Sequence, residues 1–434
     1  MKKANSSNIE KDLKYLTEKI GVRLAGSKNE RLAAEYIAEE FRKTGASVKI
    51  EEFPVSERAV TEEKLQVKTG GKWKEFPCSL FGSSPGTDGK TIEAPLVFFE
   101  AAVDYQRKDL SYLKGKAVLH LGCHIENAGN YKRLMDVKPA FLLFVDIRYP
   151  GVLPLADGLF PGYVAEMGAK PTVNVAYMDA WNWKKEGASA AKLKVSGGSR
   201  KSLSTNVIAE FTGTDDGIIF TGSHHDTQAG TPGADDNGSG VVYMLELARI
   251  LSGKKLKRSV RLMAFGAEEQ LSVGSAAYVR KHRGEIEKNG VFMFNVDSAA
   301  SLLGWTEINF NGPEKLEKIL VSYFQRQDIY FSLTRNIIPY TDQFPFAVCG
   351  VPGLWLSRRN CTAGRFFHHR RDEKMDKVSP EILSRLVNAG AEFIFDIGNV
   401  AKLPFKPEIP SELRQEIQKG WKDYFGGWKG LKIK

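Results

Sequence analysis

The chemistry available to this chain is concentrated in a few clusters of imidazole and carboxylate groups. They read Gly222-Ser223-His224-His225-Asp226, then Gly233-Ala234-Asp235-Asp236-Asn237-Gly238-Ser239-Gly240, then Phe265-Gly266-Ala267-Glu268-Glu269 and Asn295-Val296-Asp297, with a later pair at His368-His369. A hydrolytic zinc site takes imidazole nitrogen and carboxylate oxygen and leaves one coordination position to water. Two ions held close together need a shared ligand, a role that a carboxylate can fill and an imidazole cannot. His224, Asp235, Glu269, Asp297 and either His368 or His369 are enough for two sites sharing one Asp. Asp226 follows His224 by two residues in an extended segment, so it points to the same side and can orient the ring. Of the neighbours Glu268 and Glu269, one can bind metal while the other exchanges a proton with the attacking water and the leaving group.

Each cluster taken alone has a plainer reading as a polar loop, a solvated acidic pair, a turn before a helix or a basic surface loop. What changes the reading is their placement, each at the end of an apolar run or between such a run and a helix. Residues 203–400 alternate strand patterns at 218–221, 259–265, 291–296, 307–310, 329–333 and 353–356 with helical patterns at 239–251, 274–288, 313–325 and 380–397. This alternation predicts an α/β fold with a mainly parallel or mixed central sheet and helices on both faces.

Upstream, Ile9, Leu13, Leu16 and Ile20 recur at helical spacing, as do Leu32, Ala33, Tyr36, Ile37 and Phe41 behind a candidate cap at Asn29. Val48, Ile50 and Phe53 begin a strand. From 58 to 202 short β-type runs alternate with turn residues, which predicts an inserted β-rich domain; His120 and His124 within it lack a carboxylate pattern and read as ordinary residues. The tail, 401–434, interleaves Phe405, Trp421, Tyr424, Phe425 and Trp428 with lysines and is expected to pack back on the catalytic domain.

A chain of 434 residues exceeds the size at which one core stops growing, in keeping with two domains. Its net charge of +10 is not gathered into a stripe, since Lys and Arg are interspersed with 52 acidic residues, and this argues against a nucleic-acid partner. The opening Met1-Lys2-Lys3-Ala4-Asn5-Ser6-Ser7-Asn8 has charge without an apolar segment after it, and no run of about 18 apolar residues occurs. The expectation is a cytoplasmic protein with no membrane partner. Cys78, Cys123, Cys349 and Cys361 are widely spaced, which fits free thiols and makes them weak metal ligands.

In combination, Gly222 to Asp226, Gly233 to Gly240, Ala267 to Glu269, Gly274-Ser275, Val296-Asp297 and Thr341-Asp342-Gln343-Phe344-Pro345-Phe346 resemble the co-catalytic di-zinc exopeptidases, the family of bacterial leucyl aminopeptidases, aminopeptidase Y and glutamate carboxypeptidase. Arg23-Leu24-Ala25-Gly26-Ser27 is similar to the N-terminal signature of that family, so the resemblance covers 1–57 and 203–400. It implies two zinc ions per chain, with His224 and Asp297 on one, Glu269 and the late histidine on the other, and Asp235 as the bridge. It further implies Glu268 as general base toward a water activated between the metals, Asp226 behind His224, and Asp236 next to the bridge, commonly across a cis peptide. The segment 58–202 resembles, more loosely, the protease-associated domain that shapes substrate access in several members.

The chain departs from the family at the last ligand, where it reads His368-His369-Arg370-Arg371-Asp372-Glu373-Lys374-Met375-Asp376. A register on Asp376 makes His369 the ligand, with Glu373 in the acid position; a register on Asp372 makes it His368. The first is favoured. Arg370 stands where a small residue is usual and brings charge close to the site. Tyr340, just before Thr341-Asp342, is a candidate oxyanion or substrate contact. The leading expectation is an aminopeptidase acting on the N-termini of peptide substrates, with room for a homo-oligomer. A glutaminyl cyclase-like enzyme with one zinc and a carboxypeptidase-like enzyme share the same motifs. A non-catalytic binding protein on the same scaffold is disfavoured because every ligand and the base are present.

Overall fold

Fourteen strands form among the residues that the computed structural model describes, 1–122, 125, 127–359 and 362–427. The first seven are β1 (Ser47–Thr69), β2 (Lys72–Phe76), β3 (Cys78–Leu80), β4 (Ile92–Glu100), β5 (Ala117–Gly122), β6 (Phe141–Asp146) and β7 (Thr172–Val175). The others are β8 (Ala190–Phe211), β9 (Ile218–His224), β10 (Ser259–Phe265), β11 (Gly290–Val296), β12 (Trp305–Asn311), β13 (Phe331–Thr334) and β14 (Gly353–Arg359). They follow one path, β13-β12-β14-β11-β9-β10-β8-β4-β5-β6-β7-β3, with β1 paired to β8 and β2.

The sheet is mixed. Strands β10, β9, β11 and β14 run parallel, while β8 and β12 join them antiparallel. β9 and β10 are buried along their whole length, which is why they read as continuous apolar runs rather than as alternation. Ile219, Leu262 and Phe292 face a core shared with helices Ser6–Lys14, Lys28–Lys43, Gly238–Leu251, Glu314–Arg326 and Pro380–Asn399. Their neighbours Phe220, Met263 and Met293 face the opposite layer, built from Val273–Asn289 and Phe344–Val348. Helix Gly238–Leu251 is buried on nearly every side because it lies between the sheet and helices Ser6–Lys14 and Pro380–Asn399.

Helix Lys28–Lys43 is capped by Ser27 rather than by Asn29. Ser27 is the last extended residue, and its hydroxyl accepts from the Glu30 amide at 3.2 Å. Asn29 already lies inside the helix, and its side-chain amide donates to Ile20 and Val22 carbonyls instead.

The boundaries expected at 58 and 202 fall inside one continuous ladder. β1 and β8 pair antiparallel from Ser47↔Glu210 to Lys68↔Ala190, with a register shift between Val60 and Glu62. Beyond the catalytic layers this ladder carries a second α/β unit in which β4, β5, β6 and β7 run parallel, with helices Ala128–Asp136 and Tyr177–Lys185. Its helices escape a periodicity reading because each spans only nine residues. Leu65, Leu119, Leu143, Trp183 and Leu193 form its own core. His120 lies buried in β5 against Phe99 and Phe144, and burial pushes its imidazole down to about 3, as expected of a neutral core histidine. His124, Cys123, Cys361 and Trp428 lie outside the described residues.

Residues 411–425 form a helix rather than an irregular tail. Ile417 and Trp421 are buried with Phe344, Trp421 stacks on Phe425 at 4.8 Å, and the Arg280 guanidinium covers the Trp421 ring at 4.9 Å. Tyr424 meets Phe160 of the inserted unit edge-on at 5.4 Å. No helix among the described residues is long and apolar enough to cross a membrane. Replacing a fully buried aromatic by Ala removes packing that cannot re-form, so Trp421→Ala should lower unfolding stability by about 3–5 kcal/mol. Urea denaturation measures this, and a loss under about 1 kcal/mol would mean that the helix is not part of the folded core.

Candidate active site

Parallel strands deliver their carboxyl ends to one edge of the sheet, and the register sets which residues arrive together. Phe265 pairs with His224 and Asn295 with Gly222, so His224, the Glu268-Glu269 turn and Asp297 emerge side by side. The Asp235-Asp236 loop joins them from the start of helix Gly238–Leu251. Asn237 caps this helix by accepting from the Gly240 amide at 2.8 Å, and its side-chain amide donates to Val296 O at 3.0 Å. A side chain at Gly240 would collide with the Val296 carbonyl, so only glycine lets the helix start seat against the end of β11.

These elements place the donors at ligand spacing. His224 Nε2 lies 3.2 Å from Asp236 Oδ1, 3.6 Å from Asp297 Oδ1 and 3.8 Å from Glu268 Oε2. His369 Nε2 lies 3.3 Å from Asp236 Oδ2 and 3.1 Å from Glu269 Oε2. Behind His224, Asp226 Oδ1 stands 3.5 Å from Nδ1, and the same carboxylate accepts the Glu268 and Glu269 amides at 3.0 and 3.3 Å. Asp226 thus orients both the histidine and the acidic turn.

The carboxylate between the two histidines is that of Asp236, which corrects the expectation of a bridge at Asp235. Asp235 is fully buried and turned away; its Oδ1 accepts the Ala300 amide at 2.7 Å and its carbonyl accepts Ser239 Oγ. The motif register moves by one residue, and the cis peptide lies between Asp236 and Asn237. Two side chains hold the loop in this register. Glu373 Oε1 accepts the amides of Asp235 and Asp236 at 2.7 and 3.0 Å. Arg23, fully buried, donates to the carbonyls of His225, Pro232 and Gly233 at 2.8, 2.7 and 3.1 Å, and to Leu16 and Gly21 in its own segment. The Arg23 signature was visible in the sequence, but its use as a clamp on five carbonyls was not.

His225 points into the core, where burial pushes its imidazole down to about 4. His368 and His369 stack with ring centroids 3.6 Å apart and planes 22° from parallel. His368 Nδ1 approaches Asp236 Oδ2 at 3.5 Å, whereas His369 Nε2 approaches both Asp236 Oδ2 and Glu269 Oε2, so His369 is the histidine that would join Asp236 and Glu269 in holding an ion. The charge of Arg370 reaches the site through His368, on which it acts with burial and His369 to disfavour protonation, but its hydrogen bonds lead elsewhere. The Arg370 side chain is buried and turned toward the inserted unit, with its Nε donating to Leu153 O at 3.2 Å.

A cleft of about 390 Å³ opens over these groups, a volume in the range of small-molecule sites. Glu268, Asp297, Tyr340, Trp355 and Arg359 line it from the catalytic side. Tyr149, Leu159 and Phe160 close it from the inserted unit, residues that the sequence reading did not single out. Tyr340 stands exposed at the edge.

The electrostatics call for a cation. Burial pushes Glu269, Asp235 and Asp342 up to about 7 and drives Glu268 and Glu373 well above the carboxylate range. Burial opposes charge on His224 and His369 too, yet the facing carboxylates raise both well above the ordinary imidazole value. Burial likewise opposes ionisation of Asp236, but the two imidazoles outweigh it and hold its carboxyl well below the usual range. His224 Nε2 and Glu269 Oε1 are buried with no hydrogen-bond partner. The ligand atoms of His224, Asp236 and Asp297, and those of Asp236, His368 and His369, each fall within 4.8 Å of one another. Tetrahedral zinc with bonds of about 2.1 Å sets its ligand atoms roughly 3.4 Å apart, so the donor spacing and chemistry fit.

A mixed α/β sheet with this site at its carboxyl edge defines a metal-dependent hydrolase. Residues 206–394 match the profile of peptidase family M28. Over 441 aligned residues the chain is 27% identical to aminopeptidase YwaD of Bacillus subtilis (strain 168), covering 95% of this chain and 88% of that one. It is 26% identical over 406 residues to carboxypeptidase Q of Homo sapiens, covering 87% and 82%. The structure of a zinc aminopeptidase from Bacillus subtilis superposes with a TM-score of 0.75 at 20% identity, over 94% of this chain and 98% of that one. Over residues 206–394 the chain thus carries the profile of that peptidase family, and it is a metallo-exopeptidase.

Two outcomes follow from the geometry. Asp236→Asn should abolish tight metal uptake, whereas Asp235→Asn should keep the bound metal and cost stability through its buried contacts; metal analysis after dialysis separates them. In metal-stripped protein, Glu269, Asp235 and Asp342 rise from about 4 unfolded to about 7 folded, so the folded state binds the extra protons and stability falls as pH rises across that window. His225, His120 and His368, all depressed by burial, act in the opposite sense, but the raised Glu30, Glu268 and Glu373 add to the three carboxyls and outnumber them. Thermal melts with chelator should give a lower Tm at pH 7.5 than at pH 5, with added zinc restoring it.

Proposed function

We propose that this chain is a zinc-dependent aminopeptidase that removes N-terminal residues from peptides and holds two zinc ions. The observation that carries the reading is the Asp236 carboxylate, which turns one oxygen to His224 and the other to His369. His224 and Asp297 would complete one metal position, and Glu269 and His369 the other. Bound there, zinc supplies a Lewis acid for the scissile carbonyl and lowers the pKa of water. Names among the relatives, an aminopeptidase of Bacillus subtilis and a zinc aminopeptidase structure, support the same reading.

Within this scheme Glu268 is the proton carrier. Its Oε1 accepts from Ser272 Oγ at 3.3 Å and its Oε2 stands 3.8 Å from His224 Nε2, so it reaches the metal ligands without bonding closely to the histidine. Burial raises its affinity for a proton, which suits a group that takes one from the attacking water and returns it to the leaving amine. Asp226 keeps His224 in place and fixes the Glu268 backbone. Tyr340 lines the cleft and is assigned to the substrate carbonyl oxygen.

A carboxypeptidase reading has two observations in its favour, the relative named carboxypeptidase Q and the lining of the cleft. Arg148, Arg359 and Arg365 line the cleft, and guanidinium groups suit a terminal carboxylate. Paired peptides with one end free and the other blocked decide between the two. Hydrolysis of C-terminally amidated peptides with free N-termini, and none of N-acetylated ones, supports the aminopeptidase; the reverse overturns it. Glu268→Gln should retain its zinc and lose about 10²–10⁴-fold in kcat. Turnover close to that of the parent enzyme would remove Glu268 from the mechanism.

A further inference from the structure

The late-histidine loop differs from the other donor segments in what holds it. His224, the Glu268-Glu269 turn and Asp297 follow directly from sheet strands, whereas His369 has a left-handed φ of 54°, a conformation that costs a non-glycine residue energy unless its surroundings enforce it. Those surroundings come from the inserted unit. Arg370, 3% exposed, donates to the Leu153 carbonyl at 3.2 Å and to the Tyr149 carbonyl, while its third nitrogen closes on Phe366 O of its own loop. The Ala156 amide donates to His369 O at 2.7 Å. Tyr149 stacks on His368 at 4.2 Å, and His368 stacks in turn on His369.

The segment that makes these contacts is itself fixed within the inserted unit. The Leu155 amide donates to Asn174 Oδ1 of β7 at 2.9 Å, and the Met178 amide donates to Gly151 O at 3.2 Å. A Cβ at Gly151 would stand 3.1 Å from Arg370 Cζ, so the loop lies flat against the guanidinium. A continuous run of contacts thus leads from β7 through residues 149–156 to the histidine beside Asp236 and Glu269.

We propose that Arg370 and Tyr149 are positioning residues through which the inserted unit sets the His369 ring, so that metal affinity at the Glu269–His369 position depends on this docking. The inference rests on the two-metal reading above. It gives Arg370 a mechanical role, because its five N–H donors can hold carbonyls on both sides of the seam.

The decisive measurement is a metal titration rather than an activity assay. Metal-stripped parent protein, Arg370→Ala, Arg370→Lys and Tyr149→Leu are titrated with Co²⁺ followed by visible absorption, and with Zn²⁺ against a competing chelator. The parent should take up two ions. In Arg370→Ala and Tyr149→Leu the first should bind within about twofold of the parent and the second about 10–100-fold more weakly, as for other supports of a metal ligand; Arg370→Lys should recover part of the loss. Two ions bound with parental affinity in both Arg370→Ala and Tyr149→Leu would overturn the proposal. So would equal weakening of both ions together with a large fall in the Tm of the metal-free variants, the mark of a merely structural role. A parent protein that takes up only one ion would instead overturn the two-metal reading on which the proposal stands.

Discussion

The Asp236 carboxylate is enclosed in protein between two imidazoles, and a charge in that position is tolerable only if its surroundings are held rigidly around it. Much of the neighbouring architecture meets this requirement with backbone dipoles rather than with counter-ions. Glu373 fixes the two amides of the acidic pair, the Ala300 amide turns Asp235 aside, and the Asp226 carboxylate gathers the Glu268 and Glu269 amides under His224. Arg23 is a fully buried cation within electrostatic reach of these acids, yet its hydrogen bonds go to carbonyls. Deprived of solvent, its guanidinium is pulled down to about 10 even though Glu373 and Asp226 work against the shift.

The cost of this arrangement is borne where negative charge converges. Glu30, buried against Ser204 and the Gly26 amide, is pushed up to about 8 by burial and by Asp226, which places it among the same crowded acids although it lies on an N-terminal helix. Its position explains why the glycine-bearing turn at 21–27 must lie so close to the site. The turn lets one short segment deliver both Arg23, which binds loop carbonyls, and the cap of the helix that carries Glu30. Local chain geometry and site electrostatics are therefore joined in a few residues. Metal binding that neutralises such a cluster also stabilises the fold, because only the folded chain assembles it.

How much of this could be read in advance depended on whether the deciding interaction was local. Strand β10 was predicted over the residues it occupies, and helices Gly238–Leu251 and Pro380–Asn399 within two residues, because continuous apolar runs and capping residues are local signals. The choice between Asp235 and Asp236 was not local. Two identical side chains in sequence differ only in which one the loop turns toward the histidines, and Glu373, more than a hundred residues away, sets that turn. The role of Arg370 was hidden for the same reason: as a residue type it signals charge, whereas its partners are carbonyls of the inserted unit. The long strand β1, one side of the β1–β8 ladder, was recognised as a strand near its start, at Val48, Ile50 and Phe53, but not as one element along its length, since the polar Glu57-Arg58 and Thr61-Glu62-Glu63-Lys64 stretches interrupt the apolar alternation on which strand reading relies.

That same ladder limits how the enzyme can move. A hinge between two units needs a few residues free to absorb large changes in φ and ψ. Here the connection is a double-stranded beam of more than twenty residues per strand, hydrogen-bonded from the catalytic layers into the core of the inserted unit. Swinging the inserted unit away as a rigid body would mean breaking that ladder or bending it at the Val60/Glu62 irregularity. A paired beam of this length makes the cleft an aperture set in a frame, with Tyr149, Phe160 and Tyr340 among the side chains on its rim.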